Sequence, residues 1–368
     1  MPKNCSITLL LIFGVLSLSL FAACSGQPWG EPSNAGGGSL YLRGAGASFP
    51  KPIYEKWMAE YGKLNPDSRI DYQSTGSGAG INAILGQTVD FGASDTPMKN
   101  EDLKKAPGEI IHIPTVLGAV VLTYNIENLG GERLRLSPET IADIYLGKIT
   151  KWNDARLKAD NPTANLPDKN IRPVYRADSS GTTFVFTDYL SKVSPEWKEK
   201  VGRNTQPSWI KGVGVSAPRN DGVMGEVKQT PNTIGYVELI FAKSQNLPTA
   251  LIKNSAGNFV EASAASVGAA AIESLPTTPD DLRVEITNAK GAQVYPISSY
   301  TYVLVYKDQK SEARGKMLTD FLWWATHDGQ QFAKELSYEP LPPEIVTKIE
   351  TRLRQMTSGG KTLMSGER

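Results

Sequence analysis

The chain has 368 residues, 40% hydrophobic and 21% charged, enough apolar material for a buried core and, at roughly 100–200 residues per domain, for two units. Lys+Arg number 39 against Asp+Glu 38; without Lys3 the balance is zero, and no basic run offers the footprint that broad nucleic-acid binding requires. The cysteines are Cys5 and Cys24 and the histidines His112 and His327, which excludes a disulfide framework, a thiolate metal cage and a multi-histidine centre in the body of the chain.

Residues 1–23 read as a signal peptide: Lys3, the apolar run Ile7 to Ala23, then small residues. The run falls short of the ~20 residues a membrane span requires and carries Thr and Ser. Cys24 follows Leu20-Phe21-Ala22-Ala23. This resembles the lipobox of bacterial lipoproteins, whose cysteine is acylated and becomes the first residue, although Phe21 stands where Leu is usual. Residues 24–39 are then a lipidated cysteine followed by a flexible Gly/Ser/Pro tether.

From Leu40 a unit recurs: an apolar strand, a Gly/Ser/Thr loop, a helix. Leu40-Tyr41-Leu42 leads to the loop GAGASFP (Gly44 to Pro50) and to Ile53, Tyr54, Trp57, Met58 and Tyr61, which share one helical face. Ile70 and Tyr72 mark a second strand, followed by STGSGAG (Ser74 to Gly80) and a short helix. Val89 to Asp95 is a third strand with a polar end, and Ile171 to Tyr175 feeds RADSSGTT (Arg176 to Thr183) and another helix. Tyr300 to Tyr306 is a strand, helices lie around Met317–Trp324 and Ile345–Met356, and the last residues are expected to be a loose tail. Strands alternating with helices indicate an α/β fold, in which ligands sit outside the carboxyl ends of strands. Glycine lets backbone approach a ligand, Ser and Thr supply hydroxyls, and helix starts expose N–H groups, so loops of this composition suit an anion.

GAGASFPKPIYEKW, YQSTGSGAG, VDFGASDTP, IADIYLGKITKWND, YRADSSGTTFVFTDYL and NTIGYVE occur in this order. From about Leu40 to the C-terminal helices the chain resembles the substrate-binding proteins of high-affinity phosphate ABC transporters. The resemblance implies a two-lobed periplasmic-binding-protein-like fold of type II, each lobe a mixed sheet flanked by helices, with the ligand between the lobes. Lobe I would comprise residues 40–118 and 300–368 and lobe II residues 119–299, with crossings near Pro114–Thr123 and Pro296–Val303. It implies phosphate contacts from Ser48, Phe49 (by its backbone N–H), Ser77, Asp95, Arg176, Ser180, Gly181 and Thr182, with Asp178 paired to Arg176. Ser48 stands where the family has Thr. It further implies inorganic phosphate as ligand, permease and ATPase subunits as partners, no cofactor, a membrane tie through Cys24, and a periplasmic or cell-surface location.

The residue types suit that ligand. Hydroxyls and N–H groups meet phosphate's acceptor oxygens, and Arg176 offers a planar fork for two of them. Asp95, in the role the resemblance gives it, accepts the proton that phosphate carries and sulfate lacks. Asp before Thr96-Pro97 is otherwise an ordinary turn cap. The alternatives are a binder of another oxyanion and a phosphatase using the same loops. For the latter no His lies beside Ser77 or Ser180 to act as base.

Overall fold

The structure, a computed structural model, describes residues 40–364 apart from Asn128 and Gly130. The expected signal peptide, Cys24 and the expected tether fall outside the described residues. The α/β class expected from the sequence is the class the chain adopts. An 8-stranded mixed sheet contains β1 (Leu40–Gly46), β2 (Ser68–Ser74), β3 (Phe91–Ser94), β4 (Ile110–Asn125), β5 (Arg172–Arg176), β6 (Val215–Ala217), β7 (Thr233–Glu238) and β8 (Ser298–Tyr306). Helices α1 (Lys51–Leu64), α2 (Ser77–Leu85), α3 (Gly181–Val193) and α4 (Arg219–Gln229) follow β1, β2, β5 and β6, and α5 (Glu312–Thr326) and α6 (Pro343–Arg354) follow β8. Among the described residues no helix is long and apolar enough to cross a membrane.

α1 shows how the pattern becomes packing. Pro52 falls in its first turn, where a missing N–H costs nothing. Ile53, Tyr54, Trp57 and Tyr61 are buried on one face, and Trp57 Nε1 donates to the Gly329 carbonyl at 2.7 Å. Truncating a buried Trp to Ala typically costs about 3–5 kcal/mol, so Trp57 anchors the helix that follows the first loop.

The strand order is β2-β1-β3-β8-β4-β7-β5-β6. β4 has 16 residues and is buried until Asn125, so it reads as a continuous apolar run, not as an alternation. It pairs antiparallel with β8 from Ile110↔Tyr306 to Ala119↔Ser298, and with β7 from Val120↔Glu238 to Asn125↔Thr233. One strand thus serves two half-sheets.

The register places the site. β3 runs antiparallel to β8, and its last residue, Ser94, pairs with Tyr302, which pairs in turn with Pro114 of β4. β7 runs the other way and ends with Glu238 opposite Val120. β1 and β2 are parallel to β3, and β5 and β6 to β7. The carboxyl ends of both sets therefore face each other over residues 114–120 of β4.

Two expectations need correction. Gly44 to Gly46 belong to β1, not to the loop, because Gly44 pairs with both Tyr72 and Phe91 and leaves room for the Phe91 ring. The end of the chain is not a loose tail through residue 364: Thr357–Ser358 pairs with Lys361–Thr362 around Gly359 and Gly360 (φ 57° and 80°), and Leu363 is buried.

Candidate anion-binding site

Both half-sheets deliver loops to the middle of β4. After β1, Ser48 and Phe49 are buried, and the Phe49 carbonyl accepts from Tyr338 Oη at 2.6 Å. The Phe49 ring lies so close over β4 that a Cβ at Gly118 would stand 2.6 Å from it, so only glycine fits there. After β2, Gly76 takes φ 97° and Ser77 opens α2. After β3, the buried Asp95 accepts from Thr301 Oγ1 of β8 at 2.9 Å.

The other half-sheet supplies the cation. Arg176 ends β5, and Ser180 caps α3 by accepting the Thr183 N–H at 3.0 Å, which puts Gly181 and Thr182 in the first turn. After β6, α4 begins at Arg219, which takes φ 56°, and its second residue is the fully buried Asn220.

These groups meet directly. Ser77 Oγ accepts N–H bonds from Gly181 at 3.0 Å and from Asp95 at 3.3 Å, and the Ser179 carbonyl accepts the Gly78 N–H at 3.0 Å. Ser48 Oγ accepts from the Asn220 N–H at 3.2 Å and from Asn220 Nδ2 at 3.0 Å, and Thr182 Oγ1 accepts from the same Nδ2 at 3.3 Å. Ser48, Ser77, Asp95, Gly181 and Thr182 are so joined across the two half-sheets, with Phe49 next to Ser48. Arg176 adjoins them through Asp178, whose carboxylate would stand 2.5 Å from a Cβ on Gly76, the residue before Ser77.

Arg176 donates from Nε and Nη2 to the Asp178 carboxylate at 2.8 and 2.5 Å. Burial opposes ionisation of Asp178, but the guanidinium outweighs it and holds the carboxyl below the usual range. Nη1 of the buried Arg176 has no hydrogen-bond partner. A buried guanidinium end without an acceptor is costly, so this end is set to receive one. Asp95 is pushed up to about 7 by burial, against the pull of the Thr301 hydroxyl and the Arg176 charge. Opposite Val120, where β4 changes partner, burial holds the Glu238 carboxyl well above its usual range. Apart from Asp95 the grouping offers donors: hydroxyls, N–H groups of helix starts and one guanidinium end. That set suits a small oxyanion that still carries a proton.

The sequence reading missed Thr301 and Asn220. Thr301 sits in the apolar run of β8, and Asn220 follows SAPR, a turn without glycine. The histidines lie elsewhere: His112 Nε2 in β4 accepts the Met98 N–H at 3.0 Å, and His327, after α5, has Nε2 3.3 Å from Glu350. Among the described residues no group of three or more His, Cys, Asp or Glu is placed to hold a metal ion.

Residues 31–328 match the model of the PBP superfamily domain. The chain is 43% identical to a phosphate-binding protein PstS of Xylella fastidiosa over 312 residues, 85% of this chain and 84% of that one. It is also 43% identical to the PstS of Pasteurella multocida over 324 residues, 88% and 93% of the two chains. A solved structure of a phosphate-binding protein from Stenotrophomonas maltophilia shares the fold with a TM-score of 0.66 at 21% identity, covering 86% of this chain and 94% of that one. The chain belongs to the PstS phosphate-binding proteins of the PBP superfamily.

Proposed function

We propose that this protein binds inorganic phosphate outside the cytoplasm and delivers it to the permease and ATPase subunits of an ABC transporter. The observation that carries the reading is the buried Arg176, tied along one edge to Asp178 with Nη1 left unpartnered, whose charge acts on the buried carboxyl of Asp95. Ser48, the Phe49 N–H, Ser77, Asp95, Arg176, Ser180, Gly181 and Thr182 hold the anion, and Asp178 orients the guanidinium. With Asp95 at about 7, carboxyl and phosphate share one proton: neutral Asp95 donates to the dianion, or ionised Asp95 accepts from the monoanion. Sulfate brings no proton, so wherever Asp95 is ionised it meets an unpaired like charge and binds more weakly than phosphate.

The half-sheets act as lobes, residues 40–118 with 300–368 against 119–299, hinged where β4 changes partner between Ala119 and Val120. Cys24 carries the lipid, and residues 25–39 tether the protein to the membrane. The role is binding without catalysis: Ser48, Ser77 and Ser180 accept N–H bonds, and the two histidines are engaged with Met98 and Glu350 instead.

Calorimetric titration of a secreted Cys24→Ala form with phosphate, sulfate and a phosphomonoester tests this. Phosphate is expected to bind at the stoichiometry of one site, sulfate weakly or not at all, and the ester to remain unhydrolysed. Turnover of the ester, or equal binding of sulfate, overturns the reading.

A further inference from the structure

We infer that Asn220, on a helix start outside the three glycine-rich loops, is a positioning residue that leaves the Ser48 hydroxyl only its proton to offer the anion and holds Thr182 beside it. The inference deepens the phosphate-binding reading and rests on it.

Asn220 is fully buried and every polar atom of its side chain is engaged. Its Oδ1 accepts the Glu238 N–H at 3.1 Å, and a backbone N–H can only donate, so the opposite end of the amide must be Nδ2. Nδ2 donates to Ser48 Oγ at 3.0 Å and to Thr182 Oγ1 at 3.3 Å, while the Asn220 backbone N–H adds a second bond to Ser48 Oγ at 3.2 Å. A serine hydroxyl has two lone pairs and one proton. With both lone pairs of Ser48 engaged by Asn220, only its proton remains to offer. Thr182 has one lone pair engaged in the same way. At Ser77 the N–H groups of Gly181 and Asp95 produce the same polarity without a side chain.

Ser48 and Ser77, which can otherwise rotate, are thus left only a proton to offer, Thr182 keeps one lone pair besides its proton, and Asp95 is the acceptor toward which the Ser77 and Thr182 hydroxyls turn. A site so polarised favours an anion with exactly one proton to give over neutral ligands that need acceptors. Asn220 also connects the half-sheets, since Ser48 follows β1 and Thr182 follows β5. The amide further ties the hydroxyls to the backbone of Glu238, opposite Val120 where β4 changes partner.

The test is Asn220→Asp, similar in shape but with an acceptor in place of Nδ2. Its carboxylate would take the Ser48 and Thr182 protons and add a charge near Asp95, Glu238, Arg176 and Asp178; Asp221 beside it is paired with Lys51 at 3.5 Å, and Arg219 precedes it. Phosphate affinity is expected to fall about tenfold to a hundredfold near pH 7, and the loss to deepen toward about pH 8.5 and shrink toward about 5.5, where the new carboxyl is neutral and can donate. A loss that does not follow the carboxyl's titration marks a purely architectural role, and the arm that adds no charge separates donor-fixing from simple repulsion. A second arm combines Asn220→Ser with Ser48→Ala: if Asn220 acts through Ser48, the double variant loses less than the two single losses combined. The cycle also serves if Asn220→Asp does not fold. Parent-like affinity of Asn220→Asp at every pH, or strictly additive losses in the cycle, overturns the inference. Failure of the parent itself to bind phosphate would instead overturn the proposed function.

Discussion

The Gly181 N–H donates to Ser77 Oγ at 3.0 Å, and a Cβ on Gly181 would stand 2.5 Å from that same oxygen and 2.7 Å from the Asp95 side chain. Gly181 begins α3 on one half-sheet, whereas Ser77 and Asp95 belong to the other. A single methyl group there is a wedge between the halves. Gly181→Ala is expected to weaken phosphate binding by roughly tenfold to a hundredfold, the effect of about 1–3 kcal/mol of overpacking. Gly181 is the first residue of α3, where alanine gains less than the ~1 kcal/mol of a helix interior, so the ligand-free protein with its halves apart should be about as stable as the parent. Calorimetry paired with thermal unfolding separates the two signs. Weaker folding with intact affinity would mean that the halves do not close at this point.

Arg176→Lys keeps the charge and removes the fork. Lysine cannot hold both Asp178 oxygens while presenting a second end, and its ammonium is a point donor. Losing a charge-assisted hydrogen bond costs about 1.5–3 kcal/mol, so the dissociation constant should rise about tenfold to a hundredfold. Titration of the variant decides this, and unchanged affinity would place Arg176 outside the site.

What the sequence made legible follows from how strongly a local pattern constrains the backbone. The loops at Ser48, Ser77 and Arg176–Thr182 were readable because glycine and hydroxyl residues stand between a strand pattern and a helical one. The Asn220 turn was not, because the left-handed residue is Arg219 at φ 56°, a type that gives no such signal. Thr301 was hidden for another reason: β8 is covered on both faces, so a polar residue in an apolar run does not reveal that it faces Asp95. The terminal hairpin was legible in principle, since Gly359-Gly360 is a turn signal between short polar strands, but that composition also reads as a tail. The meeting of the two half-sheets depends on the register of β4 over Ile110–Asn125, a long-range pairing that no local window contains.

His112 makes the fold sensitive to acid. Its neutral Nε2 accepts the Met98 N–H, and burial first, then the charges of Arg283 and Arg352, push its pKa down from 6.5 to about 3 against the opposing pull of Asp281. Between those two values the unfolded chain takes up a proton that the folded chain refuses. Stability therefore falls as pH drops through this window, by up to about 1.4 kcal/mol per unit from this group alone. His112→Gln retains an acceptor oxygen without the titration. Its urea-unfolding free energy should drop less than the parent's between about pH 6 and pH 4, and equal drops would assign the acid sensitivity to the carboxylates.

Asp95 carries the selectivity prediction. Burial raises it to about 7 from an ordinary value of 3.8, so in the ligand-free protein it destabilises the fold progressively as pH rises through that interval. Asp95→Asn removes this dependence and should make the ligand-free protein the more stable one at neutral pH. For the ligand the consequence is different. The amide lacks the charge that repels sulfate and can turn its N–H₂ toward an oxygen, while Thr301 still has an oxygen to donate to. Phosphate gives up its proton acceptor but is freed from the repulsion between its own charge and the carboxylate. Like-charge contact in a desolvated site costs several kcal/mol, so the ratio of phosphate to sulfate affinity should narrow by at least about tenfold, chiefly through tighter sulfate binding. Competition titrations with both anions at neutral pH measure the ratio directly. If Asp95→Asn excludes sulfate as strongly as the parent does, the carboxylate is not the proton acceptor, and its bond with Thr301 serves only to fix the end of β3.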